Sequence, residues 1–297
     1  MSPGILGKCI VLALAAIMLS AGLPCAAQGA SHVVFSMEDH PGDDFGQGQV
    51  SYPEHQVFEP GLFDLRRVHI WHDDENTYYD ISFAKITNPW NAPEGFFHQL
   101  IDIYIDAEPG GHTVPAAPGA GVQFSPEAGW EYRLRIQPWG GSRWLDARWD
   151  PAKVYPVAVS VLPDDKTIRA QVPLTVAEHP SRVWQYYVLV GGFDTFGPDQ
   201  YRVVEESASK WSFGGATTSN SPNVIDLLDG GLGRKSQKSQ LNVENLAEGE
   251  CPVLLPVSHG LSLPFTWWHL LASFAVLVLL SGIFYAVFRQ QPPGHGG

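Results

Sequence analysis

Short apolar or alternating runs, separated by turns rich in glycine and proline, recur along this chain. The 297 residues include 30 Gly and 24 Pro, a density that disfavours long helices and favours strands joined by tight turns. Residues 68–71 and 79–83 alternate in polarity on either side of the polar segment 73–76, and they predict a β-hairpin. Residues 154–162 and 168–172 flank a second polar turn and predict another hairpin.

Three further segments have the character of strands. Residues 100–106 place isoleucines on one face and Asp102 and Asp106 on the other, and residues 132–136 alternate strictly. The near-continuous apolar run 183–190 suits a strand that is buried on both faces. No run between residues 29 and 264 sustains the 3.6-residue period of a helix. The sequence therefore predicts an all-β fold, an antiparallel β-sandwich.

The N-terminus has the composition of a secretory signal peptide. Lys8 precedes an apolar run, residues 10–23, and small residues follow it. We therefore expect residues 1–28 to be a signal peptide, with cleavage near Ala27 or Ala30, and the remainder of the chain to be exported.

A second apolar segment lies near the C-terminus. Residues 265–288 contain no Asp, Glu, Lys or Arg. This segment is long enough for a helix to cross a bilayer. Arg289 follows, and a positive charge after the span favours a cytoplasmic tail, residues 289–297. The expected location is thus the cell membrane: a single pass through the lipid bilayer, with most of the chain, residues 29–260, outside the cytoplasm.

Composition and motifs exclude several classes of function. The formal charge of −13 argues against a nucleic-acid partner, which requires a basic surface. The sequence contains no G-x-S-x-G, H-E-x-x-H, C-x-x-C or P-loop motif, so we predict that the protein is not an enzyme. His69 and His72 are three residues apart, which on a strand places them on opposite faces and makes them a poor metal-binding pair.

An early acidic segment is the most specific chemical feature. Asp39, Asp43 and Asp44 lie close together beside several glycines. Crowded carboxylates repel each other unless a cation or solvent screens them, and oxygen-only ligation suits Ca²⁺. Asp102 or Asp106, from the acidic face of their strand, would complete such a site. The alternative is a solvated turn with no metal, in which the aspartates cap backbone N–H groups.

Large aromatic side chains concentrate within residues 130–149. They are Trp130, Tyr132, Trp139, Trp144 and Trp149. Exposed rings could stack on the apolar faces of sugars, and Trp139 and Trp144 flank an apparent turn where exposure is easiest. The alternative is that these rings fill the core of the sandwich.

The order of several segments resembles a known family. The run D-x-x-GDD-x-G-x-G-x-x-x-YP occupies residues 39–53. Segments 58–65, 87–96, 102–106, 224–228 and 237–241 follow it in order. Together these segments, within residues 35–257, resemble the C-terminal module of glucodextranase and some amylopullulanases. The resemblance implies a β-sandwich of the DOMON or carbohydrate-binding-module-9 type.

In that family the modules are thought to bind carbohydrate or the cell surface. We therefore expect a non-catalytic, membrane-anchored exported module that binds carbohydrate or cell-envelope glycan. The candidate ligand-binding residues are Trp90, Trp139, Trp144 and Trp149. The alternative is a subunit of a membrane-associated redox complex, which either docks a protein partner or holds haem b through Met37 with a His or Lys.

Overall fold

The structure is a computed structural model that describes residues 31–148, 153–229 and 236–258. The regular secondary structure of this part of the chain is mostly β-strand, with one short α-helix, α1 (Gln237–Gln240), and two 3-10 turns, Pro118–Ala120 and Pro198–Gln200. The predicted signal peptide, the predicted span 265–288, the tail and Trp149 all lie outside the described residues. Among the residues described, none belongs to a helix long and apolar enough to cross a membrane.

The first sheet has five antiparallel strands in the order β1-β2-β3-β10-β9. Their bounds are β1 (His32–Glu38), β2 (Leu65–His72), β3 (Asn76–Phe83), β9 (Ala158–Val161) and β10 (Thr167–Pro173). The predicted hairpin of β2 and β3 is confirmed. Its turn is closed by Asp73 Oδ1, which accepts hydrogen bonds from the backbone N–H groups of Glu75 and Asn76, each at 2.8 Å.

The second sheet has the order β12-β11-β4-β6-β7-β8, and β14 also pairs with β11. Its strands are β4 (Gln99–Asp106), β6 (Tyr132–Ile136), β7 (Arg143–Asp146), β8 (Val154–Pro156), β11 (Gln185–Gly192), β12 (Asp226–Leu227) and β14 (Val257–Ser258). A separate parallel pair joins β5 (Gln123–Phe124) to β13 (Val253–Leu254). The strands predicted at 100–106 and 132–136 are thus confirmed. The strand predicted at 183–190 is found two residues later, at 185–192, and Val183 lies in the turn before it.

The expectation of one continuous strand over residues 154–162 was wrong. β8 pairs with β7 in the second sheet, whereas β9 pairs with β10 in the first, so the chain passes from one sheet to the other at Val157. Pro156 explains the break, because proline has no N–H to extend the ladder. The hairpin predicted around residues 163–166 is formed by β9 and β10.

The main core lies between the two sheets. Ile101, Ile103 and Ile105 of β4 face into it together with Val68 and Ile70 of β2. A second core covers the outer face of the second sheet, where Tyr104 and Tyr187 pack against Phe124 and Trp130. β4 and β11 are therefore buried on both faces, as the apolar run of β11 predicted.

Loops from both sheets meet at one side of the sandwich. β1 ends where β2 begins, with Glu38 opposite Arg67, and β4 begins where β11 ends, with Gln99 opposite Gly192. The Gln99 amide also donates a hydrogen bond of 2.6 Å to the Leu62 carbonyl, which joins a loop of the first sheet to the second. The loops 39–64, 84–98, 137–142 and 193–225 gather at this side, called the loop end below.

Candidate functional site

Three carboxylates from distant parts of the chain meet at the loop end. One side-chain oxygen from each of Asp39, Asp43 and Asp226 lies within 4.8 Å of those of the other two. Asp39 and Asp226 are buried and Asp43 is half-buried. We call these three residues the acidic triad.

Backbone hydrogen bonds hold the triad in place. The N–H of Asp39 donates to the Arg66 carbonyl at 3.0 Å, just beyond the end of β1. The N–H of Gly46 donates to the Ile225 carbonyl at 2.8 Å and fixes the loop that carries Asp43 against β12. Asp226 accepts a 2.7 Å hydrogen bond from the N–H of Leu65 at the start of β2. The triad therefore bridges the first and second sheets.

The triad is electrostatically unfavourable as it stands. Burial, with repulsion from Asp43, raises the pKa of Asp39 to about 8, and burial raises the pKa of Asp43 to about 6. Burial and the charges of Asp39 and Asp43 raise the pKa of Asp226 well above its usual range. Within residues 31–148, 153–229 and 236–258, no Lys or Arg forms an ion pair with these carboxylates. Bound protons or a cation would relieve the repulsion.

Two carboxylate oxygens of the triad also favour a bound proton or cation. Asp39 Oδ2 and Asp43 Oδ1 are buried and have no hydrogen-bond partner. A buried oxygen that accepts nothing loses its hydration without compensation. These two atoms, together with Asp226, are therefore the ones that could hold a hard cation with oxygen ligands.

The structure brings together only part of the predicted ligand set. Asp39 and Asp43 converge, whereas Asp44 accepts a hydrogen bond from the Tyr52 hydroxyl and is not one of the three carboxylates of the triad. The expectation that Asp102 or Asp106 completes the site was wrong. Both belong to β4, whose side chains at these positions face the outer side of the second sheet.

The two β4 carboxylates have other partners. Asp102 is fully buried between the guanidinium groups of Arg133 and Arg135, at 2.9 and 2.7 Å. Burial alone would raise the pKa of Asp102, but these two cations hold it far below its usual range. Asp106 lies at the end of β4 that is away from the loop end, where it accepts a 2.9 Å hydrogen bond from the Gln185 amide.

Sequence reasoning missed Asp226 as a member of the site. It lies within the apolar segment 224–228, which supplies β12. A single acid in an otherwise apolar buried strand was the available signal, because an unpaired charge in such a position requires a partner.

An exposed group of rings occupies the same end of the sandwich. Trp90 and Trp211 are each 40% exposed, and their ring centroids are 6.4 Å apart. The ring centroids of Phe97 and Trp90 are 4.3 Å apart. His55 stacks on Trp211, with ring centroids 4.3 Å apart and ring planes 19° apart. We call Trp90, Trp211, Phe97 and His55 the aromatic surface.

Side-chain hydrogen bonds brace two of the loops that build the aromatic surface. The Asn88 side chain closes the loop around Trp90 through hydrogen bonds of 2.8 and 2.7 Å with the backbone of Ala92. Arg202 donates to the carbonyl of Trp211 at 2.5 Å and to that of Phe193 at 2.9 Å. The rings are thus presented on a fixed backbone, which lowers the entropic cost of binding.

A buried histidine lies beneath these rings. His98 contacts Phe97 and Trp90, at 5.4 and 6.1 Å between ring centroids, and neither of its ring nitrogens has a hydrogen-bond partner. Burial, with the nearby charge of Arg202, lowers the pKa of His98 to about 4. The imidazole is therefore neutral at pH 7, and the floor of the aromatic surface is polar but uncharged at this position.

The structure places the predicted tryptophans in different environments. Trp90 and Trp139 are exposed, Trp139 by 50%. Glu94, from the loop that carries Trp90, accepts the N–H groups of Trp139 and Gly140 at 3.0 and 2.6 Å. The expectation that Trp144 binds a ligand was wrong, because Trp144 is fully buried against Tyr132 in the main core. Trp211, which sequence reasoning missed, lies outside the aromatic-rich segment 130–149.

A comparison with protein families identifies the family of this chain. The family model for the SLH-like C-terminal binding module of glucodextranase matches residues 34–256. The chain belongs to this family. The acidic triad, the aromatic surface and Trp139 all lie within the matched residues of this glucodextranase-type module. The family is one of binding modules rather than catalytic domains. A search of curated proteins found no match to this chain.

Proposed function

We propose that this chain is a non-catalytic module that binds carbohydrate or cell-envelope glycan through the aromatic surface. The observation that carries the proposal is the pair Trp90 and Trp211, two indoles that are 40% exposed and 6.4 Å apart on braced loops. Large apolar rings held at a surface are otherwise costly, and they typically mark a binding site. The family assignment supports the same class of function.

The chemistry of the surface suits a sugar. The C–H face of a pyranose is apolar and can stack on an indole, while its hydroxyls need donors and acceptors at the rim. Lys210 lies 5.7 Å above the Trp211 ring, and His55 lies beside it. Trp139, held by Glu94, provides a further exposed ring from a neighbouring loop.

We propose that the acidic triad binds Ca²⁺ and stabilises the loops that carry the aromatic surface. Two buried oxygens without partners and a third carboxylate within 4.8 Å support this role. Ca²⁺ takes six to eight oxygen ligands, so backbone carbonyls and water would supplement the triad. The cation has a structural role in this proposal and takes no part in a reaction.

Membrane attachment through residues 265–288 remains part of the proposal and is supported by the uncharged sequence alone. It would hold the module, and any protein partner, at the outer face of the membrane. The alternative role in a redox complex has no specific observation in its favour. Met37, the methionine that would bind haem b, packs against the main core.

Affinity electrophoresis of the purified full chain in gels that contain dextran, starch or peptidoglycan tests the glycan proposal. We expect retardation by at least one polymer, and a loss of affinity of about ten-fold, or roughly 1.4 kcal/mol, for Trp90→Ala and for Trp211→Ala. Val183→Ala removes a 79% exposed apolar side chain outside the aromatic surface and is the matched control. Retardation that is equal in all variants, or absent with every polymer and on a glycan array, would contradict the proposal.

A further inference from the structure

Three histidines meet at the end of the sandwich opposite the loop end. His32 begins β1 and His72 ends β2, and the antiparallel register places them directly opposite each other. Their ring centroids are 5.2 Å apart. His179, from the loop after β10, contacts His72 at the same separation, with the planes at 74°. The sequence spacing of His69 and His72 gave no hint of this cluster, because register and a distant loop create it.

His72 lies from each of the other two imidazoles at a spacing that suits a shared transition metal. For a Zn–N bond of about 2.0–2.1 Å, a ring centre lies about 3.2 Å from the ion, so two tetrahedrally arranged rings are about 5.2 Å apart. The two centroid separations that involve His72 are each 5.2 Å. His32 and His72 are stacked with their planes 26° apart, and the nitrogens of the three rings do not lie within 4.8 Å of one another as the triad oxygens do. Binding therefore requires rotation of these side chains.

One hydrogen bond already fixes the chemistry of the central ring. His72 Nδ1 lies 3.1 Å from the carbonyl oxygen of Asp73. A carbonyl only accepts, so Nδ1 carries a proton, and in the neutral ring Nε2 keeps its lone pair. Metal-binding histidines in proteins are commonly oriented in this way by a hydrogen bond from the other ring nitrogen to a backbone carbonyl.

Space for an ion and its water ligands is present beside the cluster. His32 and His72 line an open cavity of about 430 Å³, together with Ser31 and Arg182. Arg182 is exposed, and its guanidinium donates a 3.3 Å hydrogen bond to the Val33 carbonyl. His32 and His179 are exposed and His72 is half-buried, so an ion can reach all three rings.

We propose that His32, His72 and His179 form a binding site for a divalent transition metal such as Zn²⁺, Ni²⁺ or Cu²⁺. Neutral imidazoles favour these ions, whereas the all-carboxylate triad favours hard cations. The two sites lie at opposite ends of the sandwich and take different classes of metal. This site is independent of glycan binding.

Isothermal titration of Zn²⁺ and Ni²⁺ into the full chain, purified without a polyhistidine tag, tests the proposal. Saturating Ca²⁺ is present throughout to occupy the acidic triad. We expect one ion per chain, with at least ten-fold weaker binding for His72→Ala and a measurable loss for His32→Ala and His179→Ala. His112→Ala removes an exposed histidine that lies outside the cluster and should bind as the parent chain does.

Circular dichroism of each variant shows whether it has folded. If His72→Ala does not fold, His179→Ala, which changes an exposed loop position, decides the question. The proposal is overturned if the parent chain binds neither ion, or if the parent and all three cluster variants bind with equal affinity.

Discussion

Asp102 and Arg135 are joined by two hydrogen bonds, of 3.0 and 2.7 Å, with both residues completely buried. Arg133 approaches the same carboxylate with two further bonds, each of 2.9 Å. The Tyr201 hydroxyl donates a fifth bond at 2.7 Å. Asp199 accepts from both arginines, at 2.9 and 2.7 Å, so that two carboxylates balance two guanidinium groups. This network fixes the loop around residues 198–201 to the outer face of the second sheet.

Replacement of Asp102 by Ala should be severely destabilising. It leaves two buried guanidinium groups with a single carboxylate, and removal of one partner from a buried ion pair typically costs about 3–5 kcal/mol. Urea unfolding of the variant measures the loss. Asp106→Ala, on the same strand, removes one hydrogen bond and should cost about 1 kcal/mol. Equal losses for the two variants would show that the network contributes no more stability than a single bond.

The strands could be predicted from sequence because their signals are local. The alternation of residues 100–106 and 132–136 placed the isoleucines in the main core and the charged residues on the other face. The role of those charges could not be predicted, because Asp102 meets Arg133 and Arg135 only through the register of β4 and β6. Alternation shows which face a residue occupies, and it does not identify the cross-strand neighbour.

The candidate site was predictable only where its residues are close in sequence. Asp39 and Asp43 share one loop, so their proximity was apparent, whereas Asp226 reaches them through the pairing of β12 with β11. The same reasoning explains the aromatic residues. Trp144 lies in a segment dense in rings but faces the core, while Trp211 stands alone in sequence and is brought to Trp90 by the fold.

Calcium should stabilise the chain, and chelation by EDTA should lower its Tm. A ligand at 100 times its Kd stabilises the folded state by about 2.7 kcal/mol. Asp43→Asn should abolish the response to Ca²⁺, because it removes one charged ligand from the acidic triad. The Tm of the metal-free Asp43→Asn variant provides a second test. Without a cation, Asp43→Asn relieves repulsion and should leave Tm unchanged or higher.

A parallel titration with Mg²⁺ is the control for ionic strength in this experiment. Mg²⁺ demands a smaller octahedral site and retains water, so we expect a weaker effect on Tm. A Tm that is indifferent to EDTA and to added Ca²⁺ would show that the triad holds protons instead of a cation.

Gly46→Ala should destabilise the loop that carries Asp43. Gly46 has φ of +56°, and an added Cβ would lie 2.7 Å from Val50 Cγ2 and 3.1 Å from the Val224 carbonyl oxygen. Strain and overpacking together should cost about 2–3 kcal/mol. Gly42→Ala is the matched control, because φ is +78° there but no atom lies within 4 Å of the added Cβ. Thermal unfolding should therefore show a smaller loss for Gly42→Ala, and the reverse order would contradict the close packing of Gly46 against β12.

His98 should make the stability of the module fall in mild acid. Its folded-state pKa is about 4, below the ordinary value of 6.5. Between these values the unfolded chain binds a proton that the folded chain refuses, so stability is complete above pH 6.5 and declines as the pH falls toward 4. At about 1.4 kcal/mol per pKa unit, the loss reaches about 3 kcal/mol.

Urea unfolding of the parent chain and of His98→Phe at several pH values measures this loss. Other titrating groups affect both proteins, so the difference between them isolates His98. That difference should change between pH 6.5 and 4 in favour of His98→Phe, and a constant difference would show that the pKa of His98 is the same in the folded and unfolded chains.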